Sequence, residues 1–313
     1  MSSVNTKTEN STTREEGTAV VRSPLRRTST PRIVFALGVP FCGSTALGNM
    51  LNALRPGLYP GELERTPQNL PFYNGPAKLV RCHICRDAEA PCPVWPESRV
   101  TDLGLLSVPD LYTSLLATAK SDVIVDGSKS PGYLQRVAPE LAPHADLRAL
   151  ILVRDPVHSM STYIASRLRR GHETPAWQAA NFWRDTYAHA LTLVASLGIP
   201  SLIFATGLLR DTRPSALEVN TRPLRRFLGI DHIPLPTKQA GIDALFAPSH
   251  QLGGNPNVQR PGAVERRVAS SSEVRAERFD ELADAFLQAP AAPELAKMLG
   301  LSVRHIVSDR PTS

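Results

Sequence analysis

The chain has no apolar stretch long enough to span a bilayer, which excludes a membrane-crossing helix, and no internal repeat, which excludes a solenoid. Aromatic residues are scarce at 6 % with only three Trp, and none interleave with a basic run, so a nucleic-acid interface has no support. The segment 1–31 has few large apolar residues and no apolar leader; Ser, Thr, Arg and Glu dominate it. Glu9, Glu15 and Glu16 weigh against a transit peptide. These absences predict a disordered basic tail over 1–31 and a cytoplasmic protein. The formal net charge is +6, and six Lys/Arg against three Glu through Arg32 carry half of that excess. The remainder is close to balanced, and 313 residues suffice for one large α/β domain or two smaller ones.

What is present is a set of strand-to-helix junctions. Ile33 to Leu37 reads as a buried strand, and Ala46 to Leu54 as the amphipathic helix that follows it. Between them lies Gly38-Val39-Pro40-Phe41-Cys42-Gly43-Ser44-Thr45, the spacing of a phosphate-binding loop with Ser44 where the lysine stands. A nucleoside-triphosphate loop needs that lysine on the β and γ phosphates, so ATP or GTP hydrolysis is disfavoured. Backbone N–H groups at a helix start, with two hydroxyls, suit a single phosphate ester. The plainer alternative is a glycine-bearing turn with Ser44 as N-cap. Leu147 to Val153 is a second buried strand, ending in Arg154-Asp155-Pro156 and a helix that carries His158, Ser161 and Thr162. An arginine and a hydroxyl at the carboxyl end of a strand suit a second phosphate. An Arg154–Asp155 surface pair is the bland reading of the same residues. Val123–Val125 and Ser201–Ala205 add two strands, and Asp126-Gly127-Ser128 reads as a turn. The alternation predicts an α/β fold: a parallel sheet of the phosphate-loop type with helices on both faces.

Together the motifs GVPFCGSTAL and VRDPVHSMSTY resemble the 3′-phosphoadenosine-5′-phosphosulfate (PAPS)-dependent sulfotransferases, whose second motif places a hydroxyl eight residues after the Arg, here Thr162. Gly61-Glu62-Leu63, the stretch from Val125 to Pro131, and the stretch from His250 to Pro256 are similar to the bacterial and tyrosylprotein branches of that family. The resemblance runs from about Arg32 to Arg260 and implies a single domain over 32–313. It implies sulfuryl transfer from PAPS to a hydroxyl of a small-molecule, carbohydrate or lipid acceptor, with no metal required. It implies nucleotide contacts from Cys42, Gly43, Ser44, Thr45, Ala46, Arg154, Ser161, Thr162, Gly254 and Asn255. Glu62 is then the base and Lys129 the cation that meets the bridging oxygen, with Glu64, His158 and His83 as rival bases. Two departures stand out: the family loop carries Arg or Lys where this chain has Phe41, and Ser where it has Cys42. A P-loop kinase or other phosphotransferase, and a nucleotide-binding protein without catalysis, are the alternative functions.

A Cys-rich insert near 76–98, also similar to bacterial members, holds Cys82, His83, Cys85 and Cys92. Three readings stay open for it: a small zinc site, a disulfide, or a compact hydrophobic knob. Arg148, Arg154, Arg167, Arg169 and Arg170 are expected to surround the second phosphate site. Downstream, Thr174 and Pro175 start a long helix ended by Gly198, its apolar face marked by Trp177, Phe182, Trp183 and Tyr187. A mobile loop is expected over Pro248–Gly262, and an amphipathic helix over Glu273–Gln288.

Overall fold

The computed structural model describes residues 30–66, 82, 84–85, 91–252 and 263–301, with the backbone alone for 263–271. The expected tail up to Ser29, His83, Gly254 and Asn255 lie outside the described residues. In chain order the elements are β1 (Arg32–Leu37), α1 (Ser44–Leu54), α2 (Glu97–Leu103), α3 (Val108–Ala119), β2 (Val123–Lys129) and α4 (Pro131–Leu141). They continue with β3 (Asp146–Val153), α5 (Pro156–Leu168), α6 (Ala176–Leu197), β4 (Ser201–Ala205), α7 (Pro214–Leu228), α8 (Gln239–Leu245), α9 (Ala263–Gln288) and α10 (Ala292–Met298). No helix among the described residues is long and apolar enough to cross a membrane.

The four strands form one parallel sheet in the order β2-β1-β3-β4. Parallel strands covered on both sides must be apolar at successive positions, and β1 shows how the two faces divide. Ile33, Phe35 and Leu37 pack into a core with α3 and α4, where Phe35 meets the rings of Tyr112 and Tyr133. Val34 and Ala36, alternating with them, face a second core built with α1, α5, α6, α7 and α9. The expected α/β sheet with helices on both faces is therefore what the chain forms. All four carboxyl ends lie at one edge, as Leu37 pairs with Lys129 and Ile151, and Val153 pairs with Ala205.

Three local expectations are corrected. The residues read as a turn, Asp126-Gly127-Ser128, instead continue β2 to Lys129, across a register shift between Phe35 and Leu37. The buried Asp126 carboxylate accepts from Ser128 N (2.8 Å), Ser128 Oγ (2.5 Å) and Tyr112 Oη (2.5 Å), and Gly127 N donates to Gly61 O. Those bonds hold the segment extended. Thr174 does not cap α6; Pro175 holds that position, and the buried Thr174 hydroxyl bonds no described atom. The late helix runs from Ala263 rather than Glu273, with a non-helical residue at Arg278. Of the aromatic face on α6, Trp183 and Tyr187 are core and Phe182 stacks on Tyr163, while Trp177 stands 62 % exposed.

Candidate active site at the carboxyl edge of the sheet

The loop between β1 and α1 is tied to every neighbouring strand end. Gly38 N donates to Lys129 O at the end of β2 (3.4 Å). Arg154 Nη1, just past β3, donates to Phe41 O (3.0 Å). Thr206 Oγ1, just past β4, donates to Cys42 O (2.5 Å). Gly43 caps α1 in the left-handed region (φ 96°), and a Cβ there would lie 2.9 Å from the Thr206 side chain, so only glycine fits. The first turn of α1 has no side-chain cap and no acidic residue, which leaves a positive helix terminus at the loop. Ser44 is therefore the first helical residue rather than the cap. Cys42 is completely buried and burial raises its thiol pKa, so this side chain belongs to the core and only its backbone borders the loop. Ala46 lies half-buried in the same first turn. Phe41 is a non-glycine residue at φ 68°, a strained conformation in the middle of the loop.

The two residues expected to carry the chemistry meet directly. Lys129 Nζ donates to Glu62 Oε1 at 2.5 Å and to Gly127 O at 3.0 Å, and Arg65 Nη1 reaches Glu62 Oε2 at 3.2 Å. Burial by itself would raise the Glu62 pKa, but Lys129 and then Arg65 outweigh it and hold the carboxyl below its ordinary range. Burial would lower the Lys129 pKa, and Glu62 outweighs it and holds the ammonium above its ordinary value. Both groups are thus kept ionised. The rival Glu64 has its carboxyl pKa raised, chiefly by burial and further by the nearby Asp126 and Glu62 charges, and its side chain is hydrogen-bonded to Ser130. Glu62 is placed by backbone: Gly61 (φ 111°) bridges Asp126 on one side and Leu252 on the other, and Glu62 N donates to Leu252 O at 2.7 Å. Leu252 belongs to a strap, residues 249–252, that lies on α1. There Gln251 Nε2 donates to Asn49 Oδ1 (2.7 Å), as do Ser249 N and Oγ. The first part of the expected mobile loop is therefore pinned.

Arg154 sits where β3 ends. Its Nη2 also donates to His158 Nε2, so the imidazole is neutral. Burial, and then the cations Arg154, Arg210 and Arg275, lower the His158 pKa to about 3. A histidine held that far down is no base at neutral pH. Burial and then Arg210 lower the Arg154 pKa to about 10. Ser161 Oγ and Thr162 Oγ1 both donate back to His158 O, at 3.0 and 2.8 Å. The basic cluster differs from the one expected. Arg148 is at the opposite end of β3, bonded to Asp146 and Phe227 O, because only the strand's carboxyl end borders the loop. Arg210 and Arg275 take its place beside Arg154. Neither carried a local signal in the sequence, since one follows β4 and the other lies on α9. Arg65 and Thr206 were missed for the same reason. A cleft of about 440 Å³ lies elsewhere, between α6 and α9, and none of the expected site residues lines it.

No family model matches the chain, and no curated protein matches it. Among solved structures, the sulfotransferase domain of the Synechococcus PCC 7002 olefin synthase aligns with a TM-score of 0.54 at 22 % identity, covering 90 % of this chain and 98 % of that one. A sulfotransferase from Alicyclobacillus acidocaldarius aligns at 0.43 and 17 % identity, over 88 % of this chain and 98 % of that one. One from Mycobacterium avium aligns at 0.36 and 14 %, over 80 % and 77 %. The chain therefore shares its fold with the first of these.

Proposed function

We propose that the chain, acting as one domain over 32–313, transfers the sulfuryl group of PAPS to a hydroxyl of a small-molecule acceptor, carbohydrates and lipids included. The observation that carries this reading is the Glu62–Lys129 pair beside a phosphate-type loop, with Lys129 O bonded to the loop's own Gly38 N. The donor set fits a nucleotide with anionic groups at two places. The α1 terminus over Gly43, Ser44, Thr45 and Ala46 would take the 5′ end. Arg154, with Arg210, Arg275, Ser161 and Thr162, would take the 3′-phosphate, and Gly254 and Asn255 follow from the family resemblance. A positive helix terminus and clustered guanidinium groups are what such anions require.

In this reading Glu62 accepts the proton of the acceptor hydroxyl. The oxygen's electron pair then bonds to sulfur as the bond from sulfur to the leaving phosphate oxygen breaks in line. Lys129 and the loop N–H groups hold the charge that collects on the departing oxygen. Lys129 bears on both ends of the step. While it is bound to Glu62 it depresses the carboxyl pKa, and once it turns to the donor it releases Glu62 to act as base. Radiolabelled PAPS, offered with a panel of sugars, lipid alcohols and phenols, tests the proposal. Label should pass to at least one acceptor class, and Glu62→Gln should cut that passage by orders of magnitude while nucleotide binding survives. Undiminished transfer by Glu62→Gln would remove it as the base.

A second reading, a nucleotide binder without catalysis, draws on Phe41, an apolar residue at the loop position where the resemblance expects a cation. It predicts that PAPS or its desulfated product binds while no acceptor is sulfated.

A further inference from the structure

Cys82, Cys85 and Cys92 converge on one atom. His250 Nδ1 lies 3.4 Å from Cys82 Sγ, 3.5 Å from Cys85 Sγ and 3.3 Å from Cys92 Sγ, and all four atoms lie within 4.8 Å of one another. Hydrogen bonding does not account for this. One imidazole nitrogen offers a single hydrogen or a single lone pair and serves one thiol, not three at nearly equal distance. A shared centre does account for it. With Zn–S near 2.3 Å and Zn–N near 2.0 Å, a tetrahedron has N···S edges of roughly 3.5 Å. The four cysteines are free thiols, so no disulfide competes for these sulfurs.

We propose that the chain holds a structural Zn²⁺ on Cys82, Cys85, Cys92 and His250, bridging the Cys-rich insert to the strap at 249–252. Four protein ligands close the coordination shell, so the ion has no open position for a substrate, and a Cys₃His set selects zinc. Binding expels the protons of the three thiols, and neutral His250 coordinates through Nδ1, leaving a centre of net charge −1. The nitrogen ligand comes from a segment 158 residues beyond Cys92, not from the adjacent His83. Its surroundings already favour closure. Trp95 Nε1 donates to His250 O (3.1 Å), Trp95 N reaches Cys92 Sγ (3.1 Å), and Cys82 pairs with Leu252. Leu252 accepts the hydrogen bond from Glu62 N, so the ion would anchor the backbone that positions the carboxylate.

The full chain, expressed with zinc supplied and dialysed, tests this by elemental analysis. About one zinc per chain is expected, kept in His83→Ala and lost in His250→Ala and Cys92→Ser. Because those variants could fail to fold, metal-free wild-type protein is also titrated with Co²⁺ alone. Thiolate-to-cobalt charge-transfer bands and tetrahedral d–d bands are expected, together with a raised thermal midpoint. Wild-type protein with far less than one zinc per chain and no such cobalt bands would overturn the proposal. So would a disulfide among Cys82, Cys85 and Cys92 in protein purified without reductant, or zinc lost from His83→Ala but kept by His250→Ala. None of these readouts depends on sulfuryl transfer.

Discussion

Glu62 and Lys129 keep only 16 % and 14 % of their side chains exposed, so each is held ionised mainly by the other. The free enzyme's acid limb in kcat/KM should therefore lie below the ordinary carboxylate range, because the Glu62 pKa is lowered. In Lys129→Ala the burial that opposes this lowering is left less opposed, and the limb should move up in pH as the rate falls. A limb that stays in place in Lys129→Ala would show that another group titrates. Glu62→Gln should reduce transfer by about 10²–10⁴-fold, the usual contribution of a positioned base, measured as kcat at saturating PAPS. Much at this scale was legible: Glu62, Lys129 and Arg154 each flank a motif, and the structure brings all three to one edge. Arg65, Thr206, Arg210 and Arg275 were not legible. Each enters through a tertiary contact, and nothing in its own neighbourhood distinguishes it from a solvated residue.

Among the elements, the end of β2 departs most from its reading. Asp-Gly-Ser is turn chemistry by local propensity, yet the bond from Tyr112, the bond that Gly127 N donates to Gly61 O, and the buried environment override it. Burial raises the Asp126 pKa to about 6 from 3.8. A carboxyl whose folded pKa is raised gives stability that is present below the unfolded value and lost as pH rises. Stability should thus fall between about pH 4 and pH 6, by roughly 3 kcal/mol from this group alone. Glu62, whose pKa is lowered, acts in the opposite direction, so the decisive quantity is the difference between variants. Urea midpoints against pH should show a shallower decline in Asp126→Asn than in wild type, and parallel curves would contradict the assignment. Gly61 tests the strap. A Cβ at this position would fall 1.8 Å from Leu252 O, at a φ of 111°. Gly61→Ala should cost about 2–5 kcal/mol in urea unfolding. Gly207→Ala, where nothing lies within 4 Å of the added carbon, should stay within about 0.5 kcal/mol.

For the molecule as a whole, continuous apolar strands alternating with helices sufficed to foresee a parallel sheet with two covered faces, because Ile33 to Leu37 is apolar at every position and buries Ile33, Phe35 and Leu37 on one side and Val34 and Ala36 on the other. The convergence of Gly61 and Glu62 with Cys82, Cys85, Cys92 and the strap at 249–252 was not foreseeable, since Cys82 and His250 alone lie 168 residues apart in the chain. Sulfuryl transfer as proposed requires this sheet edge to hold a nucleotide phosphorylated at both the 3′ and 5′ positions. The measurement that tests it most directly is the thermal midpoint with 3′-phosphoadenosine 5′-phosphate, against 5′-AMP and Mg-ATP at equal concentration. At about 100 times its dissociation constant a ligand stabilises a fold by roughly 2.7 kcal/mol. A rise of several degrees is expected with the 3′-phosphorylated nucleotide alone, and its loss in Arg154→Ala. A rise with Mg-ATP alone, or with none of the three, would contradict it.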